Sequence, residues 1–411
     1  MGKKSSFLTT VICPSCWHKF QPAECVYISK HESLLGDPIV GDDEQMRFMP
    51  SRFSVDCMAV DPAGMNCHQI ACPRCHLEIS RPSLELDPLF LSIVGAPASG
   101  KSFLLGSMTW SLRKSLHDFG IRFTDADPSL NQTIHSYEQT LFLAENPDEP
   151  VTIRKTELDG TDLYATVKFG SQEQRLPKPF LFTMDYNTGL DDEFGKLLVL
   201  YDNAGEHFLP GSEKVGAPVT EHLANSGAIL FVFDVTQDPR LRQFCLEDDP
   251  QIRHGSISTG GVGTRQETIL SEAATRIRKH LGISTKKLHD RPLVIVLGKA
   301  DAWIHNIPDV NLKEEPFKVA KEGGYQKLDS KKIRAASNSC EHWLKKHCPE
   351  FVASAHGFCK EVTFIPVSAT GCSPELVTTG DSTFYGVRPS QISPQWVTVP
   401  FLYCLRTILK S

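Results

Sequence analysis

Apolar runs, each followed by a polar segment, recur along the chain from residue 90 onwards. They cover residues 90–94, 197–201, 228–234, 293–297 and 362–367. Because these runs are rich in Val, Leu and Ile and do not alternate with polar residues, they are typical of strands buried on both faces. Helices are predicted from the intervening patterns, most clearly over 102–117, 267–281 and 399–409. Strands separated by helices predict an α/β fold, with a mostly parallel sheet covered by helices on both faces.

Less regular patterns occupy the intervals between these elements. Residues 180–186 form a further predicted strand, and residues 130–143 have helical potential. Two alternating segments, 151–158 and 163–169, flank Asp159-Gly160 and predict a β-hairpin. Residues 187–193 are a predicted polar turn, and 237–264 and 372–395 are predicted loops. We interpret three intervals as insertions, near 120–180, 237–264 and 372–395.

A glycine-rich segment joins the first of these strands to the first helix. Residues 95–102 read Gly-Ala-Pro-Ala-Ser-Gly-Lys-Ser, the G-x-x-x-x-G-K-S pattern in the strand, loop and helix context of a phosphate-binding loop. Lys101 can supply a positive charge for the β- and γ-phosphates, and the Ser102 hydroxyl is a predicted ligand for Mg²⁺. A plain glycine turn is the alternative. The predicted nucleotide contacts here are Gly95, Ala98, Ser99, Gly100, Lys101, Ser102 and Phe103.

Polar residues also follow the second apolar run. Ligands of open α/β sheets bind at the carboxyl ends of the strands, so these residues are expected to meet the phosphate loop. Asp202 is a predicted Mg²⁺ ligand opposite Ser102. The backbone N–H of Gly205 is a predicted sensor of the γ-phosphate.

The last two apolar runs end in residues suited to a purine base. Asp301 can accept hydrogen bonds from N1–H and the N2 amine of guanine, while the stem of Lys299 lies along the base. Ser368, Ala369 and Thr370 follow the final run, and the Ala369 N–H can donate to guanine O6, which adenine lacks. The predicted ligands are therefore GTP or GDP with Mg²⁺.

Cysteines are concentrated near the amino terminus, where seven of thirteen lie in the first 75 residues. Two Cys-Pro-x-Cys segments supply Cys13, Cys16, Cys72 and Cys75. Two such turns provide the four thiolates of a tetrahedral Zn²⁺ site. A redox pair is the alternative for one such motif. Further cysteines and histidines nearby are interpreted as ordinary side chains, with a second site as the alternative: Cys25, Cys57, Cys67, His68 and His76.

Length and charge set the remaining limits. A chain of 411 residues exceeds what one core usually holds, and we expect a zinc-ribbon-like module over 1–84 and a nucleotide-binding domain over 89–411. The formal net charge of −6 gives no overall case for a nucleic-acid partner. No apolar run reaches the length of a membrane span, and a cytoplasmic location is expected, where paired cysteines more often hold metal than form disulfides.

Taken together, the motifs of residues 89–411 resemble those of the P-loop GTPases of the translation-factor and Ras-like (TRAFAC) class. The motifs are G-x-x-x-x-G-K-S, D-x-x-G at 202–205, K-x-D at 299–301 and S-A-T at 368–370, in the order that this class has. The cysteine pairs, the insertions and the segment 202–208 are similar to a bacterial branch of double-GTPase-like proteins of conflict or defence systems. The resemblance implies a GTP-hydrolysing, Mg²⁺-dependent switch that acts with protein partners, an activator or an effector.

The chain departs from this class at two positions. Gly298 stands where the class has Asn or Thr. A side-chain bond that joins the base loop (298–301) to the phosphate loop (95–102) is therefore lost. Glu206 stands where Ras-like proteins have the glutamine that orients water, and with Lys101 it is a predicted catalytic residue. A carboxylate repels the γ-phosphate, so we expect slow hydrolysis without a partner. Arg240, Arg242 and Arg253 are candidate internal arginine fingers, with a surface role favoured, and the switch threonine is left open among Thr161, Thr183 and Thr188.

Two other functions remain open from the sequence. One is an enzyme that uses ATP or another nucleoside triphosphate, in which the K-x-D segment is coincidental. The other is a scaffold that retains a nucleotide and a zinc docking module without turnover. Nucleotide competition distinguishes the first from a GTPase, and comparison of the GDP and GTP states distinguishes the second.

Overall fold

The computed structural model describes residues 7–153, 163–186, 194–202, 221–247, 249–254, 265–320, 324–379 and 382–409. Ten short strands precede residue 80: β1 (Val11–Ile12), β2 (Lys19–Phe20), β3 (Val26–Ile28), β4 (Leu35–Asp37), β5 (Gly41–Gln45), β6 (Arg47–Phe48), β7 (Ala59–Val60), β8 (Asn66–Cys67), β9 (Ile70–Ala71) and β10 (Glu78–Ile79). We call the region up to the end of β10 the cysteine module.

Longer elements follow. The strands are β11 (Asp87–Gly95), β12 (Ile121–Asp125), β13 (Tyr164–Phe169), β14 (Gln172–Pro177), β15 (Phe180–Tyr186), β16 (Phe194–Asp202), β17 (Ala228–Asp234), β18 (Leu293–Gly298), β19 (Phe317–Val319), β20 (Gln326–Leu328), β21 (Val362–Pro366), β22 (Glu375–Thr379) and β23 (Ser382–Gly386). The helices are α1 (Pro82–Glu85), α2 (Lys101–Ser115), α3 (Gln132–Phe142), α4 (Glu221–Asn225), α5 (Pro250–His254), α6 (Gln266–Leu281), α7 (Ser330–His347), α8 (Pro349–Phe358) and α9 (Val399–Ile408).

Seven strands form one sheet in the order β12-β15-β16-β11-β17-β18-β21. The five strands from β16 to β21 are parallel, whereas β15 runs antiparallel to both of its neighbours, β12 and β16. The sheet is therefore mixed, with the predicted parallel order at its centre. All five apolar runs of the sequence lie in this central part, so their carboxyl ends meet along one edge.

Alternation along the strands divides the sheet into two buried faces. Leu91 and Ile93 of β11 belong to the main core, which also includes Leu105 of α2 and Trp303. Phe90 belongs to a second cluster with Leu181, Leu197, Val199 and Tyr201 on the opposite face. The side chain that completes this second cluster is Trp17 of the cysteine module. Part of the sheet is thus covered by the module, where we predicted helices.

The cysteine module contains a four-stranded sheet in the order β10-β9-β3-β6 and the two-stranded β1–β2 hairpin. Its core joins Val11, Phe20 and Ile79 to Val167 and Leu176 of the β13–β14 hairpin. The backbone N–H of Lys168 donates to Ile39 O at 2.7 Å. The module therefore packs against the second domain over an extended surface, and its core is shared with that domain.

Two of the predicted insertions, near 120–180 and 372–395, contain β-hairpins. Residues 163–169 form a hairpin strand, but β13 pairs with β14 around Gly170, and the proposed partner strand falls largely in 154–162, outside the described residues. The loop predicted over 372–395 is wrong in part, because β22 and β23 form an antiparallel hairpin there. Their β-branched and aromatic residues, such as Val377 and Phe384, carried that signal. No helix among the described residues is long and apolar enough to cross a membrane.

Candidate functional site: the strand ends and the cysteine cluster

The predicted phosphate loop connects β11 directly to α2. Gly100 has a left-handed backbone with φ of 85°, and Ala98 has the same hand with φ of 57°. An added Cβ at Gly95 would lie 2.6 Å from Val232 O on the neighbouring strand. Both pattern glycines therefore have a physical reason: Gly100 provides a turn that other residues rarely adopt, and Gly95 allows close approach of β17.

The Lys101 ammonium group lies inside this loop. Its Nζ donates to Ala96 O at 2.8 Å and to Gly95 O at 3.2 Å, and the residue is only 8% exposed. The helix that begins at Lys101 adds its positive end to the same position. A lysine in a loop of this shape is suited to balance the charge of a phosphate group.

A hydroxyl and a carboxylate meet beside the loop. The Ser102 Oγ donates to Asp202 Oδ2 at 3.4 Å, and the β11–β16 register places Asp202 opposite Ile93. Oxygen donors of these two kinds suit Mg²⁺, which is usually held by few protein ligands together with phosphate and water. Ser99 Oγ, also in the loop, is buried without a hydrogen-bond partner in the described part of the chain. These residues fit a bound magnesium phosphate.

The residues predicted to hold a base lie after β18 and β21. The two loops are joined, since Ser368 Oγ donates to Asp301 Oδ1 and Ala300 N donates to Val367 O at 3.1 Å. Burial raises the pKa of Asp301, although the Ser368 hydrogen bond opposes this shift. Gly371 N in turn donates to Ser368 Oγ at 2.7 Å. The carboxylate is thus held in a fixed orientation.

Lys299 extends from the base loop to the phosphate loop. Its backbone is left-handed, with φ of 54°, and its Cε lies 4.0 Å from the position of a Cβ built on Gly100. The Nζ forms an ion pair with Asp234 Oδ2 at 2.7 Å. The stem of this lysine therefore spans the interval between the two predicted binding loops, as a residue that lies along a purine would.

Asp234 at the end of β17 was missed by the sequence analysis. It is fully buried, and its Oδ1 accepts from the Thr236 N–H at 2.9 Å and the Thr236 hydroxyl at 2.7 Å. The Gln266 side chain pairs with both the N–H and the carbonyl of Asp234 at 2.8 Å. A strand that ends in Asp with Thr two residues later is a turn signal, and it could have drawn attention to this position.

Gly298 lacks the side chain that, in the class that the chain resembles, joins the base loop to the phosphate loop. A Cβ there would lie 3.7 Å from Phe233 O and 3.8 Å from Ser99 O, so packing leaves room for a side chain. Other contacts connect the loops instead. Besides the Lys299–Asp234 ion pair, Gln237 Nε2 donates to Pro97 O in the phosphate loop at 3.1 Å.

Several other predicted residues have structural contacts. Phe103 packs against the main core, and Thr370 Oγ1 donates to Cys372 O at 2.8 Å beside the half-buried Ala369. The Thr183 hydroxyl in β15 is hydrogen-bonded to that of Thr124 at 2.7 Å. Four predicted positions lie outside the described residues: Thr161, Thr188, Gly205 and Glu206.

Two of the candidate arginine fingers form ion pairs or hydrogen bonds within the fold. Arg240 forms ion pairs with Asp238 and Glu350, each at 2.8 Å, and the Asp238 contact raises the pKa of the arginine. Arg242 donates to the carbonyls of Thr236 and Gln237 at 2.9 and 3.2 Å. Both arginines are half-buried and bonded within the fold, which differs from the solvated surface role that the sequence favoured. Nothing is described for the side chain of Arg253.

The four predicted cysteines converge at one point of the cysteine module. All of their sulfur atoms lie within 4.8 Å of one another and all four residues are buried. Sγ–Sγ distances are 3.8 Å for Cys13–Cys75 and 3.7 Å for Cys16–Cys72. Zn–S bonds of about 2.3 Å in a tetrahedron require sulfur separations of about 3.8 Å. The predicted convergence is confirmed, and the cluster has the dimensions of a zinc site.

The two cysteine turns share one backbone geometry. The residue after each pair, Trp17 or His76, is left-handed with φ of 59° or 57°. Its N–H donates to the carbonyl of the first cysteine of its turn at 3.0 Å. Burial and the neighbouring cysteines raise the pKa of the Cys13 thiol well above its usual range.

The cysteines and histidines outside this cluster lie in several different environments. Cys25 lies in the apolar core of the module, where burial raises its pKa to about 12, and Cys57 is exposed. Cys67 Sγ donates to Asp61, and His76 pairs with Asp37 at 2.8 Å. Within the described residues, the four converging cysteines are the one group of three or more Cys, His, Asp or Glu side chains close enough together to share a metal ion.

Comparison with known proteins finds similarity to this chain among solved structures. No family model and no curated protein matches it. Solved structures that match include Sup35 complexed with GDP, 12% identical over 69% of this chain and 38% of that chain, with a TM-score of 0.24. The GTPase-like domain of Ski7 from S. cerevisiae, bound to GTP, is 12% identical over 79% of this chain and 51% of that one, with a TM-score of 0.30. Era from Aquifex aeolicus, bound to GDP and AlF4⁻, is 14% identical over 69% and 52%, with a TM-score of 0.22.

This chain thus spans about half or less of the length of those proteins. With TM-scores below 0.5, these matches do not indicate the chemistry of the site.

Proposed function

We propose that this chain binds GTP with Mg²⁺ and hydrolyses it as a molecular switch. The observation that carries the proposal is the position of Lys299, whose stem lies beside Gly100 while its neighbour Asp301 is fixed by Ser368. One nucleotide can therefore reach both loops. Its phosphates would contact Lys101 and its base would contact Asp301.

Each residue of the site has a separate role in binding the nucleotide under this proposal. Lys101 and the phosphate-loop amides bind and orient the phosphates, while Ser102 and Asp202 hold Mg²⁺, which neutralises phosphate charge when bound. Asp301 selects guanine because its carboxylate accepts from two donors that adenine does not present together. Glu206, outside the described residues, remains the proposed group next to the attacking water.

Slow turnover and dependence on a partner are part of the proposal. A carboxylate at position 206 repels the γ-phosphate, and two of the three candidate arginines are engaged elsewhere. A protein partner that supplies an arginine can raise such rates by about 10³ to 10⁵. We therefore propose an activating partner, and, from the sequence resemblance, a cytoplasmic role in a bacterial conflict or defence system with one Zn²⁺ in the cysteine cluster.

Nucleotide competition on the purified chain tests the proposal. Asp301→Asn should weaken GDP binding about 100-fold, since two charge-assisted hydrogen bonds are lost, and should allow xanthosine diphosphate to bind. Asp309→Asn, an exposed carboxylate eight residues further on, is the matched control and should bind GDP as the wild type does. Equal affinity of the wild type for ATP and GTP would favour the general nucleotide-using enzyme instead. Identical GDP and GTP states, with no turnover, would favour the scaffold.

A further inference from the structure

Tyr201 connects the cysteine cluster to the predicted magnesium ligand. Its hydroxyl donates to the carbonyl of Pro14, which lies inside the first Cys-x-x-Cys turn. Tyr201 is 1% exposed and directly precedes Asp202 at the end of β16. One hydrogen bond thus joins the backbone between two sulfur ligands to the residue next to a predicted metal ligand of the nucleotide site.

The packing around this bond is aromatic. Trp17, the residue after Cys16, lies with its ring centroid 4.5 Å from that of Phe90 and 5.8 Å from that of Tyr201. The left-handed backbone of Trp17 belongs to the turn that presents Cys13 and Cys16 to the metal. The orientation of this indole ring therefore depends on the geometry of the cysteine turn.

Tyr201 is also supported from its other side. Its ring stacks on that of His222 with centroids 4.7 Å apart and an interplanar angle of 17°. His222 Nδ1 is hydrogen-bonded to Ser92 Oγ at 2.7 Å, and Ser92 is the β11 residue paired with Tyr201. All three residues are buried. The contacts anchor Tyr201, which directly precedes the D-x-x-G segment, to His222 of α4.

We propose that Tyr201 is a positioning residue through which the metal-loaded cysteine turn holds Asp202 in place for Mg²⁺. The inference rests on the proposed function, since it assigns Asp202 to a magnesium nucleotide. The turn fixes the Pro14 carbonyl, that carbonyl fixes the tyrosine, and the tyrosine fixes the end of β16. Coupling of this kind is reciprocal, so a magnesium nucleotide must also strengthen retention of the metal by the cysteines.

Tyr201→Phe tests the coupling because it removes the hydroxyl and keeps the stacked ring. The Mg²⁺ concentration for half-maximal GDP retention should rise about fivefold, the effect of one hydrogen bond. GDP binding without added Mg²⁺ should stay unchanged, since the bond acts through Asp202. Tyr403→Phe is the matched control, because Tyr403 also loses hydroxyl hydrogen bonds, to Thr363 and Glu361 at 3.1 and 3.0 Å.

Zinc release measures the reciprocal effect without any turnover. When a thiol-reactive mercurial displaces zinc into a coloured chelator, Mg²⁺ and GDP should slow its release severalfold in the wild type. Tyr201→Phe should hold one Zn²⁺ per chain but lose this protection. A variant with wild-type Mg²⁺ dependence and wild-type protection overturns the coupling alone. Absence of GDP binding by the wild type overturns the proposed function, and the assignment of Asp202 with it.

Discussion

At the residue scale, the glycines of the phosphate loop have different functions. Gly100 supplies a left-handed turn, whereas Gly95 makes room for the carbonyl of Val232 on β17. The consensus pattern identifies both residues but does not separate these roles. The distinction matters because a side chain at position 95 would clash with β17 and so disturb the sheet.

Gly95→Ala should therefore destabilise the sheet as well as weaken nucleotide binding. Its Cβ would lie 2.6 Å from Val232 O, so β11 or β17 must shift, and the free energy of unfolding should fall by about 1–3 kcal/mol. Gly357→Ala is the matched control. That glycine lies in α8 with no atom within 4 Å of its added Cβ, and alanine there should be neutral or stabilising. Denaturant unfolding of both variants, without nucleotide, measures the difference.

The buried Asp301 gives nucleotide binding a characteristic pH dependence. Its pKa is raised by burial, and guanine recognition requires the ionised carboxylate. As pH falls, GDP affinity should decline at a higher pH than an ordinary aspartate would produce. Stability of the nucleotide-free protein should change in the opposite sense, because a raised carboxyl pKa contributes stability at low pH that is lost as pH rises through it. Titration calorimetry from pH 7 downwards, with Asp301→Asn showing no such step, checks the assignment.

At the element scale, the strands themselves were predictable, whereas the contacts between side chains at their carboxyl ends were not. Long apolar runs predicted β17 and β18 correctly, and the strand–loop–helix pattern located β11 and α2. The Asp234–Lys299 contact could not be predicted, because it depends on the register that places Asp234 opposite Gly298. Helices α7 and α8 received no prediction, although Ile333, Ala336, Cys340 and Leu344 of α7 have the spacing of a buried helical face.

The Asp234–Lys299 ion pair should stabilise the base loop. Asp234→Asn leaves a side-chain oxygen that can accept from Thr236 but removes the charge opposite Lys299. Because Asp234 is fully buried, the free energy of unfolding should fall by about 3 kcal/mol, and preference for guanine over adenine nucleotides should weaken. Asp185→Asn breaks the largely exposed pair with Arg122 and should change stability by at most about 1 kcal/mol. An equal effect of the two variants would argue against a special role for Asp234.

At the scale of the whole molecule, the cysteine module is built into the fold. Its core includes Val167 and Leu176, and its Trp17 covers part of the central sheet. The sequence indicated the four converging cysteines, since each Cys-x-x-Cys pair is a local pattern. It could not indicate the docking surface, because contacts between distant parts of the chain leave no periodic pattern.

Loss of the metal should therefore destabilise more than the first 80 residues. Cys72→Ser should abolish binding of one Zn²⁺ per chain and lower the thermal unfolding midpoint by about 5 °C or more, because structural zinc contributes folding free energy directly. Cys57→Ser changes an exposed thiol outside the cluster and should keep both the zinc and the midpoint. Metal analysis together with scanning calorimetry measures the two effects. An unchanged midpoint after zinc loss would show that the module contributes little to the rest of the fold.

The bond between Pro14 and Tyr201 spans 187 positions of the chain. Closing a loop of that length is entropically unfavourable, and the surface that receives Trp17 does not exist until β16 has been synthesised. During translation, the indole ring and the apolar side of the first cysteine turn must therefore remain exposed to solvent until β16, which ends at Asp202, has left the ribosome. Docking of this turn therefore cannot precede synthesis of β16.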